Sequence, residues 1–162
     1  MTQHPTAQRV QERLRERGLD VYVCTLDEST RSAAEAAAAI GCEEGQIVKS
    51  LVFVTDDGPL VCLCAGDRRV DPARLPPGAR TATPDEVREA TGFAVGGVPP
   101  LGHDRELATL VDASLRRFER VWAAAGTPRS VFAVGTEELI AALGAADVCD
   151  LAGPTDTEGA SP

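Results

Sequence analysis

The chain has 162 residues, the length of one domain, and its 16 basic and 25 acidic residues give a net charge of −9 at pH 7. Hydrophobic residues make up 43% and charged residues 25%, which excludes disorder and collagen-like repeats for most of the chain. The acidic balance and an aromatic content of 4% argue against a broad surface for long nucleic acid, so no DNA partner is expected. Among the basic residues, Lys49 is the single lysine.

The N-terminus and the cysteines indicate the compartment. No apolar signal region opens the chain, and no stretch approaches the ~18 apolar residues of a membrane span, so we expect a cytoplasmic protein without a membrane partner. Five widely spaced cysteines predict buried free thiols. Because only two histidines accompany them, no zinc-ligand spacing exists, and neither a metal nor a cofactor is predicted. The cysteines are Cys24, Cys42, Cys62, Cys64 and Cys149.

The first forty or so residues predict two helices and a strand between them. Apolar residues at three- and four-residue spacing indicate an amphipathic helix from about Pro5 to Arg17, ended by Gly18. The stretch "LDVYVCTL" alternates like a strand. Ser29 or Thr30 is expected to cap the alanine-rich helix "RSAAEAAAAIG".

The middle of the chain predicts a hairpin, two short helices and a loop. Two β-branched runs in "QIVKSLVFVTDDGPLVCLCAG" are joined by Asp57-Gly58, a strong hairpin signal. Asp71-Pro72 opens a helical turn through Leu75, and "TPDEVREATG" opens a helix at Thr83 or Pro84. The segment "GFAVGGVPPLG" holds four glycines and two prolines in eleven residues, so it predicts a shaped loop.

The last third predicts further strands separated by short helices. The predicted strands are "ELATLVD", "RVWAAAG", "SVFAV" and "ADVCDLA". A helical turn is predicted at 113–118, and Thr136 is expected to cap a final helix, "EELIAALG". Strands outnumber the helices that could cross over between them, which favours a mixed α+β sheet or barrel. Residues 1–152 are predicted to form a single domain, and 153–162 a disordered tail.

Lys49 is the first candidate functional residue. It lies within "IVKSLVFV", where a strand-edge lysine can simply extend its ammonium into water. However, the chain uses arginine at every other basic position. A compact ammonium with three donors is not interchangeable with a planar guanidinium, so Lys49 is a candidate anchor for a phosphate or a carbonyl oxygen.

The glycine-rich loop is the second candidate. Its glycines permit close approach of the backbone to a ligand, while Pro99 and Pro100 stiffen it, so that backbone groups can act as fixed dipoles. A purely structural turn is the alternative. The spacing matches no phosphate-binding glycine fingerprint. His103 either bonds within the loop or contacts a substrate.

Two motifs resemble a known family. "GQIVKSLVF", followed about forty residues later by "TGFAVGGVPPLGH", is similar to the YbaK / prolyl-tRNA-synthetase-associated domain family, whose members are editing deacylases that act in trans on mischarged tRNA. The resemblance covers nearly the whole chain. It implies an α+β fold with a mixed, largely antiparallel sheet curled into a barrel-like core with flanking helices. It also implies an aminoacyl-tRNA deacylase whose substrate is the aminoacylated 3′ end of a tRNA, and it suggests an aminoacyl-tRNA synthetase as a further partner.

The resemblance also implies roles for particular residues. Lys49 would approach the terminal nucleotide and the aminoacyl group, and Gly96 and Gly97 would present backbone groups to the substrate. Because an aminoacyl ester is already activated, positioning a water and stabilising the oxyanion suffices, which agrees with the lack of a recognisable nucleophile triad. The other expected substrate contacts are Ser29, Thr30, Ser32, Ser50, Val98, Pro99, Pro100 and His103.

The region ahead of the second helix bears on the amino acid. Cysteinyl-specific members have aromatic residues in this region, where this chain has Ser29, Thr30 and Ser32. Those members also have polar residues at two positions late in the chain, which correspond here to Ala124 and Val131. Serine, threonine or alanine is therefore expected as the edited amino acid rather than cysteine, although the same hydroxyls also suit a helix N-cap.

Other functional classes remain open at this point. One is a noncatalytic module that binds tRNA 3′ ends or a synthetase, and another is the hydrolysis of some other acyl ester or thioester. The charge balance predicts that any contact with RNA is confined to a local basic patch, for which Lys49, Arg68, Arg69 and Arg74 are the candidates.

Overall fold

The computed structural model describes residues 4–28, 30, 32–144 and 146–154. Within these residues the chain forms four α-helices, α1 (Pro5–Glu16), α2 (Ala33–Ile40), α3 (Pro84–Thr91) and α4 (Thr136–Leu143). The ten strands are β1 (Val23–Thr25), β2 (Val48–Thr55), β3 (Gly58–Ala65), β4 (Arg68–Val70), β5 (Arg80–Thr81), β6 (Ala108–Asp112), β7 (Arg120–Ala124), β8 (Ser130–Gly135), β9 (Asp147–Cys149) and β10 (Ala152–Pro154). Short 3-10 turns occupy Glu44–Gln46, Pro72–Arg74 and Ala113–Arg117.

The strands form three sheets. The largest has the order β5-β2-β3-β6-β9, in which β2 runs antiparallel to β5 and β3, and β6 runs parallel to β3 and β9. A second sheet has the antiparallel order β1-β8-β7, and β10 pairs with β4 in an antiparallel ribbon. The predicted mixed, largely antiparallel α+β architecture is therefore confirmed.

The predicted barrel-like closure is wrong. None of the described sheets closes on itself, and β5 and β9 remain the edges of the five-stranded sheet. The two larger sheets meet at an isolated parallel bridge between Ile47 and Trp122. Pairing of β7 along β2 would join the two sheets, but in the described structure β7 is bridged only to Ile47, the residue before β2.

The main core lies between the helices and the sheets. Val61 and Leu63 of β3 are fully buried, together with Phe132 of β8. The amphipathic face of α1 reaches this core through Val10 and Leu14, as the spacing predicts.

Helix ends differ in detail from the prediction. The cap of α2 is Ser32, whose Oγ accepts a hydrogen bond from the Glu35 N–H at 3.1 Å, and not Ser29 or Thr30. Ser29 itself lies outside the described residues. Thr83 caps α3 as predicted, whereas Thr136 is the first residue of α4 and Gly135 occupies the cap position.

Short strands account for most other differences. The strands β4, β5 and β10 were not predicted, because two or three residues are too few to show an alternating pattern. The hairpin turn is Asp56-Asp57, one residue earlier than predicted, since Thr55 pairs with Gly58. The strand β10 contains the first two residues of the predicted tail, and 155–162 lie outside the described residues.

The cysteines are free, but not all are buried. Cys62 and Cys64 are buried in β3, and burial raises the pKa of each thiol to about 12, so neither is a thiolate at neutral pH. Cys24 is exposed, which corrects the expectation of five buried thiols, because its side chain points away from the core on β1. Among the described helices, none combines the length and hydrophobicity needed to cross a membrane.

Candidate functional site

The site is built on an open edge of β2. One side of β2 pairs with β3 along its whole length. On the other side, β7 bridges at Ile47 and β5 pairs only with Phe53 and Val54. In the described structure this leaves the edge of 48–51 without a strand partner. Lys49 and Ser50 lie in the middle of this gap.

Lys49 and Ser50 point to opposite faces of β2, as successive strand residues do. Lys49 Nζ donates a hydrogen bond to the backbone carbonyl of Arg68 in β4, and within the described structure the other two N–H donors of the ammonium have no hydrogen-bond acceptor. Ser50 Oγ is buried and has no hydrogen-bond partner among the described residues. A buried hydroxyl without a partner is costly, and a bound ligand would relieve that cost.

The tip of the glycine-rich loop is a tight turn. Gly97 N–H donates to the Ala94 carbonyl at 3.0 Å, and Gly96, the third residue of the turn, has φ of 93°. A positive φ at this position is what a type II turn requires, and glycine adopts it without strain. Val95 and Gly96 are exposed at the tip, with Val95 retaining 59% of its accessible surface.

Gly97 has a different role from the one expected. Its carbonyl accepts a hydrogen bond from Gly126 N–H at 2.8 Å, and a Cβ built on Gly97 would lie 2.6 Å from the Gly126 carbonyl oxygen. Gly97 is buried and lines neither of the two cavities described below. The structure therefore places Gly97 in packing contact with the β7–β8 turn, and a contact of its backbone with a substrate stays a prediction.

In the remainder of the loop, the contacts that the structure shows are internal to the protein. His103 Nε2 lies 2.8 Å from the Pro99 carbonyl oxygen, and burial lowers the pKa of His103, so the neutral ring donates from Nε2. Pro99 and Pro100 are buried, and these three residues line neither cavity beside Lys49. Arg13 of α1 donates to the Gly102 carbonyl at 2.9 Å and fixes the end of the loop.

Two cavities flank the open edge. The first, of about 250 Å³, is enclosed by α2, β7, β8 and the edge of β2, and the second, of about 330 Å³, by β4, β5 and α3. Both have the same rim, formed by Lys49, Ser50, Leu51, Val95, Gly96 and Val98. The structure thus brings together the strand motif and the loop tip, the two segments singled out in the sequence.

The first cavity contains the residues predicted ahead of α2. Thr30 and Ser32 both line it. The hydroxyl of Thr30 donates to the Pro128 carbonyl at 3.3 Å, and that of Ser32 caps α2, so each also has a structural role. Ala124 and Val131 line the same cavity, so the late positions compared with cysteinyl-specific members do lie in it.

Sequence reasoning missed several lining residues of the first cavity. Trp122 lines it from β7, and its being the only tryptophan is a compositional signal that could have identified it. Thr127 lines it from the β7–β8 turn and Ser130 from the first position of β8, with their hydroxyls 2.7 Å apart. No local motif marks these two positions.

The predicted basic patch is only partly assembled. Arg69 lines the second cavity together with Lys49, and Arg68 supplies the carbonyl that holds the lysine. Arg74 instead pairs with Asp150 at 3.2 Å and with Asp71 at 3.7 Å, so its charge is balanced away from the cavities. In the described part of the chain, no three His, Cys, Asp or Glu side chains converge as metal ligands.

Comparisons with known proteins agree with this geometry. A family model of the aminoacyl-tRNA editing domain matches residues 27–142. The chain is 34% identical over 122 residues to the protein YwhH of Bacillus subtilis (strain 168), covering 72% of this chain and 78% of that protein. A 77-residue stretch is 35% identical to a proline–tRNA ligase of Thermotoga neapolitana and spans 13% of that much longer enzyme.

A solved structure is similar along nearly its entire length. It was described as a candidate trans-editing enzyme for prolyl-tRNA synthetase, and it superimposes with a TM-score of 0.87 at 47% identity, covering 94% of this chain and 99% of its own. The family expected from the strand and loop motifs is thereby confirmed. The chain belongs to the aminoacyl-tRNA editing domain family, within the YbaK-like group that its motifs resemble.

Proposed function

We propose that this protein is an aminoacyl-tRNA deacylase that acts in trans and hydrolyses the ester of a mischarged tRNA carrying a small amino acid. Alanine, serine or threonine is the amino acid that the site favours over cysteine. The observation that carries the proposal is the open edge of β2, where Lys49 and the tip of the glycine-rich loop form the common rim of two cavities. A substrate with a scissile bond in its middle and a different group on each side suits that arrangement.

The chemistry needs little from the protein. Water attacks the ester carbonyl carbon, the bond from that carbon to the ribose oxygen breaks, and the proton from water passes to the ribose oxygen. The adjacent ribose hydroxyl can assist this transfer, so a dedicated nucleophile is not required. The buried thiols of Cys62 and Cys64 are protonated at neutral pH and take no part.

Lys49 stabilises the charge that develops on the ester oxygen. Its contact with the Arg68 carbonyl fixes the direction of the ammonium, and its two remaining donors are available to the carbonyl oxygen of the ester. On the other side of the rim, the N–H of Gly96 has no partner among the described residues and is a second candidate donor. Donors held in place in this way stabilise the transition state more than the ground state.

The first cavity suits the aminoacyl group. Its walls combine small alanines with the hydroxyls of Thr30 and Ser130 and the buried, unpartnered Ser50 Oγ at its rim. Hydroxyls can bond the α-amino group or a hydroxylated side chain. The space of about 250 Å³ accommodates a small amino acid.

A panel of labelled aminoacyl-tRNAs tests the proposal. Wild-type protein should release alanine, serine or threonine from tRNA, and Lys49→Ala should lower kcat about 10²- to 10³-fold, the usual loss for one oxyanion donor. Arg74→Ala is the matched control, because this arginine is paired away from the cavities, and it should keep full activity. Full activity of Lys49→Ala would refute the role of the lysine.

The competing function is binding without hydrolysis. A noncatalytic module would bind aminoacyl-tRNA ends through the same rim and would release no amino acid from any member of the panel. Turnover of a simple acyl ester or thioester with no turnover of aminoacyl-tRNA would instead indicate a different hydrolase.

A further inference from the structure

An ion pair that lines neither cavity lies one residue from the group that holds Lys49. Asp67, in the turn between β3 and β4, accepts two hydrogen bonds from Arg117, and the next residue, Arg68, supplies the carbonyl that accepts from Lys49 Nζ. We propose that Asp67 and Arg117 are positioning residues that fix the Arg68 carbonyl and thereby direct the ammonium of Lys49 toward the ester. This inference rests on the proposed function and adds to it the residues that act through the lysine.

The ion pair between Asp67 and Arg117 fixes orientation as well as position. Arg117 Nη1 donates to Asp67 Oδ2 at 3.0 Å and Nη2 to Oδ1 at 2.6 Å, which is a bidentate arrangement. These hydrogen bonds lower the pKa of Asp67, so the pair stays charged at neutral pH. The two side chains are 36% and 35% exposed, and a pair of this kind adds little to the free energy of unfolding, so its main contribution is geometric.

Arg117 is itself held on several sides. Its Nε donates to the Ser114 carbonyl at 2.8 Å, and its Cζ lies 5.0 Å from the centre of the Phe118 ring. A Cβ built on Gly45 would lie 3.0 Å from Nη2, so the backbone also approaches the guanidinium closely. A side chain whose rotamer is fixed by packing and hydrogen bonds can hold another group in place, and Arg117 therefore serves as a fixed point for the turn.

The turn that carries Asp67 packs behind the wall of the first cavity. A Cβ built on Gly66, the other residue of this turn, would clash with the Glu44 carbonyl oxygen and lie 2.6 Å from the Cβ of Ala33. Ala33 lines the first cavity. The ion pair thus fixes a short segment that contacts the cavity wall on one side and continues into the Arg68 carbonyl on the other.

Pairing with β10 does not set the direction of the Arg68 carbonyl. Asp71 N–H donates to the Leu151 carbonyl at 2.9 Å, so the backbone of Asp71 faces the segment that leads into β10. Backbone direction alternates along a strand, so Arg69 also faces β10, whereas Arg68 faces away from it toward Lys49. The strand β10 therefore keeps β4 in place, and the direction of the Arg68 carbonyl depends on the turn that precedes it.

Two neighbouring arginines of one 3-10 turn provide matched variants. Arg116 donates to Glu137 of α4 at 3.0 and 3.2 Å, so Arg116→Ala and Arg117→Ala each remove one bidentate, partly exposed ion pair. Arg117→Ala should lower kcat for aminoacyl-tRNA about 10-fold with KM little changed, because a misdirected ammonium stabilises the transition state less well. Arg116→Ala should keep the wild-type kcat, and thermal unfolding should show a similar, small loss of stability for both variants.

A double-mutant cycle with Lys49 separates positioning from a general loosening of the site. In a Lys49→Ala background there is no ammonium left to direct, so Arg117→Ala should change kcat by less than about 2-fold there. A general loosening would instead lower kcat by the same factor in both backgrounds. Asp67→Asn keeps the size of the side chain and removes its charge, and it should behave like Arg117→Ala in both backgrounds.

NMR of the lysine side chain gives a readout that needs no substrate. Because Lys49 is the only lysine, protein that contains lysine labelled with ¹³C at Cε gives a single methylene signal. Relaxation of this signal should indicate an ordered side chain in the wild type and in Arg116→Ala. In Arg117→Ala and Asp67→Asn it should indicate a more mobile side chain.

The failure of this inference is distinguishable from the failure of the proposed function. If the wild type releases no amino acid from any aminoacyl-tRNA but Arg117→Ala still mobilises Lys49, the deacylase activity is wrong and the positioning role stands. The positioning role is overturned if Arg117→Ala leaves the lysine signal unchanged. With an active wild type, it is also overturned if Arg117→Ala leaves kcat unchanged or lowers it equally with and without the lysine.

Discussion

Asp112 at the end of β6 holds the C-terminal strand in place, and removing its carboxylate is expected to affect both stability and catalysis. The side chain is 2% exposed. One oxygen accepts hydrogen bonds from Leu151 N–H at 2.7 Å and Ala152 N–H at 3.0 Å, and the other from Ser114 N–H and Ser114 Oγ. The carboxylate therefore fixes the chain at the point where it enters β10.

The cost of Asp112→Ala follows from these contacts. The substitution leaves Leu151 N–H, which is buried, and Ala152 N–H, which is partly buried, without their acceptor. An unsatisfied buried donor costs about 1–3 kcal/mol, so the loss of two should lower the free energy of unfolding by about 2–6 kcal/mol. That is a large part of the roughly 5–15 kcal/mol that stabilises a domain.

The same substitution should reach the site through two strands. The strand β10 pairs with β4, and in this register Pro154 lies opposite Arg68. The Arg68 carbonyl in turn accepts the hydrogen bond from Lys49 Nζ. Loosening β10 should release β4 and with it the direction of the ammonium. We therefore expect kcat for deacylation to fall, measured at a temperature where the variant remains folded.

Urea unfolding followed by circular dichroism measures the first effect, and aminoacyl-tRNA hydrolysis the second. Ser114→Ala is the matched control, because it removes one hydroxyl donor but leaves the carboxylate on Leu151 and Ala152, and it should cost no more than about 1.5 kcal/mol. A loss below 1 kcal/mol for Asp112→Ala, with an unchanged kcat, would refute the link between the C-terminal strand and the site.

Two further predictions concern the loop. Gly97→Ala places a methyl group 2.6 Å from the Gly126 carbonyl oxygen, so urea unfolding should show a loss of about 1–3 kcal/mol. Gly153→Ala, whose methyl group meets no atom of the described residues within 4 Å, should change the free energy of unfolding by no more than about 0.5 kcal/mol. Burial holds the pKa of His103 below its ordinary value of about 6.5, so the unfolded chain binds the proton more readily, and stability should decrease as the pH falls from 7 toward 5. His103→Gln should flatten this part of the stability profile, and an unchanged slope would show that other groups cause it.

The elements that the sequence predicts well are those with a local cause. The β2–β3 hairpin has two long apolar runs and a turn, and α3 has a capping box at Thr83 and a glycine at its end, Gly92. Each of these signals lies within the element that it specifies. Lys49 could be found for a different reason, because its rarity in the composition is visible without any structure.

The parts that could not be predicted depend on contacts distant in sequence. The strand β10 exists because Asp112, about forty residues earlier, accepts hydrogen bonds from 151–152. The hydroxyls of Thr127 and Ser130 reach the first cavity because β7 and β8 return beside β2. The packing of Gly97 against Gly126 could not be predicted, because the sequence cannot tell a glycine that approaches a ligand from one that approaches another backbone.

The incomplete sheet explains why the site lies where it does. In a closed barrel, a neighbouring strand would pair with 48–51, and the backbone groups of Ser50 would be used in that ladder. Here β7 is bridged only to Ile47, the residue before β2, and β5 pairs with β2 only from Phe53 onward, which leaves a gap about four residues long in the described structure. The loop tip lies across this gap, with a cavity on either side. An unpaired edge is normally a liability for aggregation, so its retention beside the single lysine supports the proposal that a substrate binds along it.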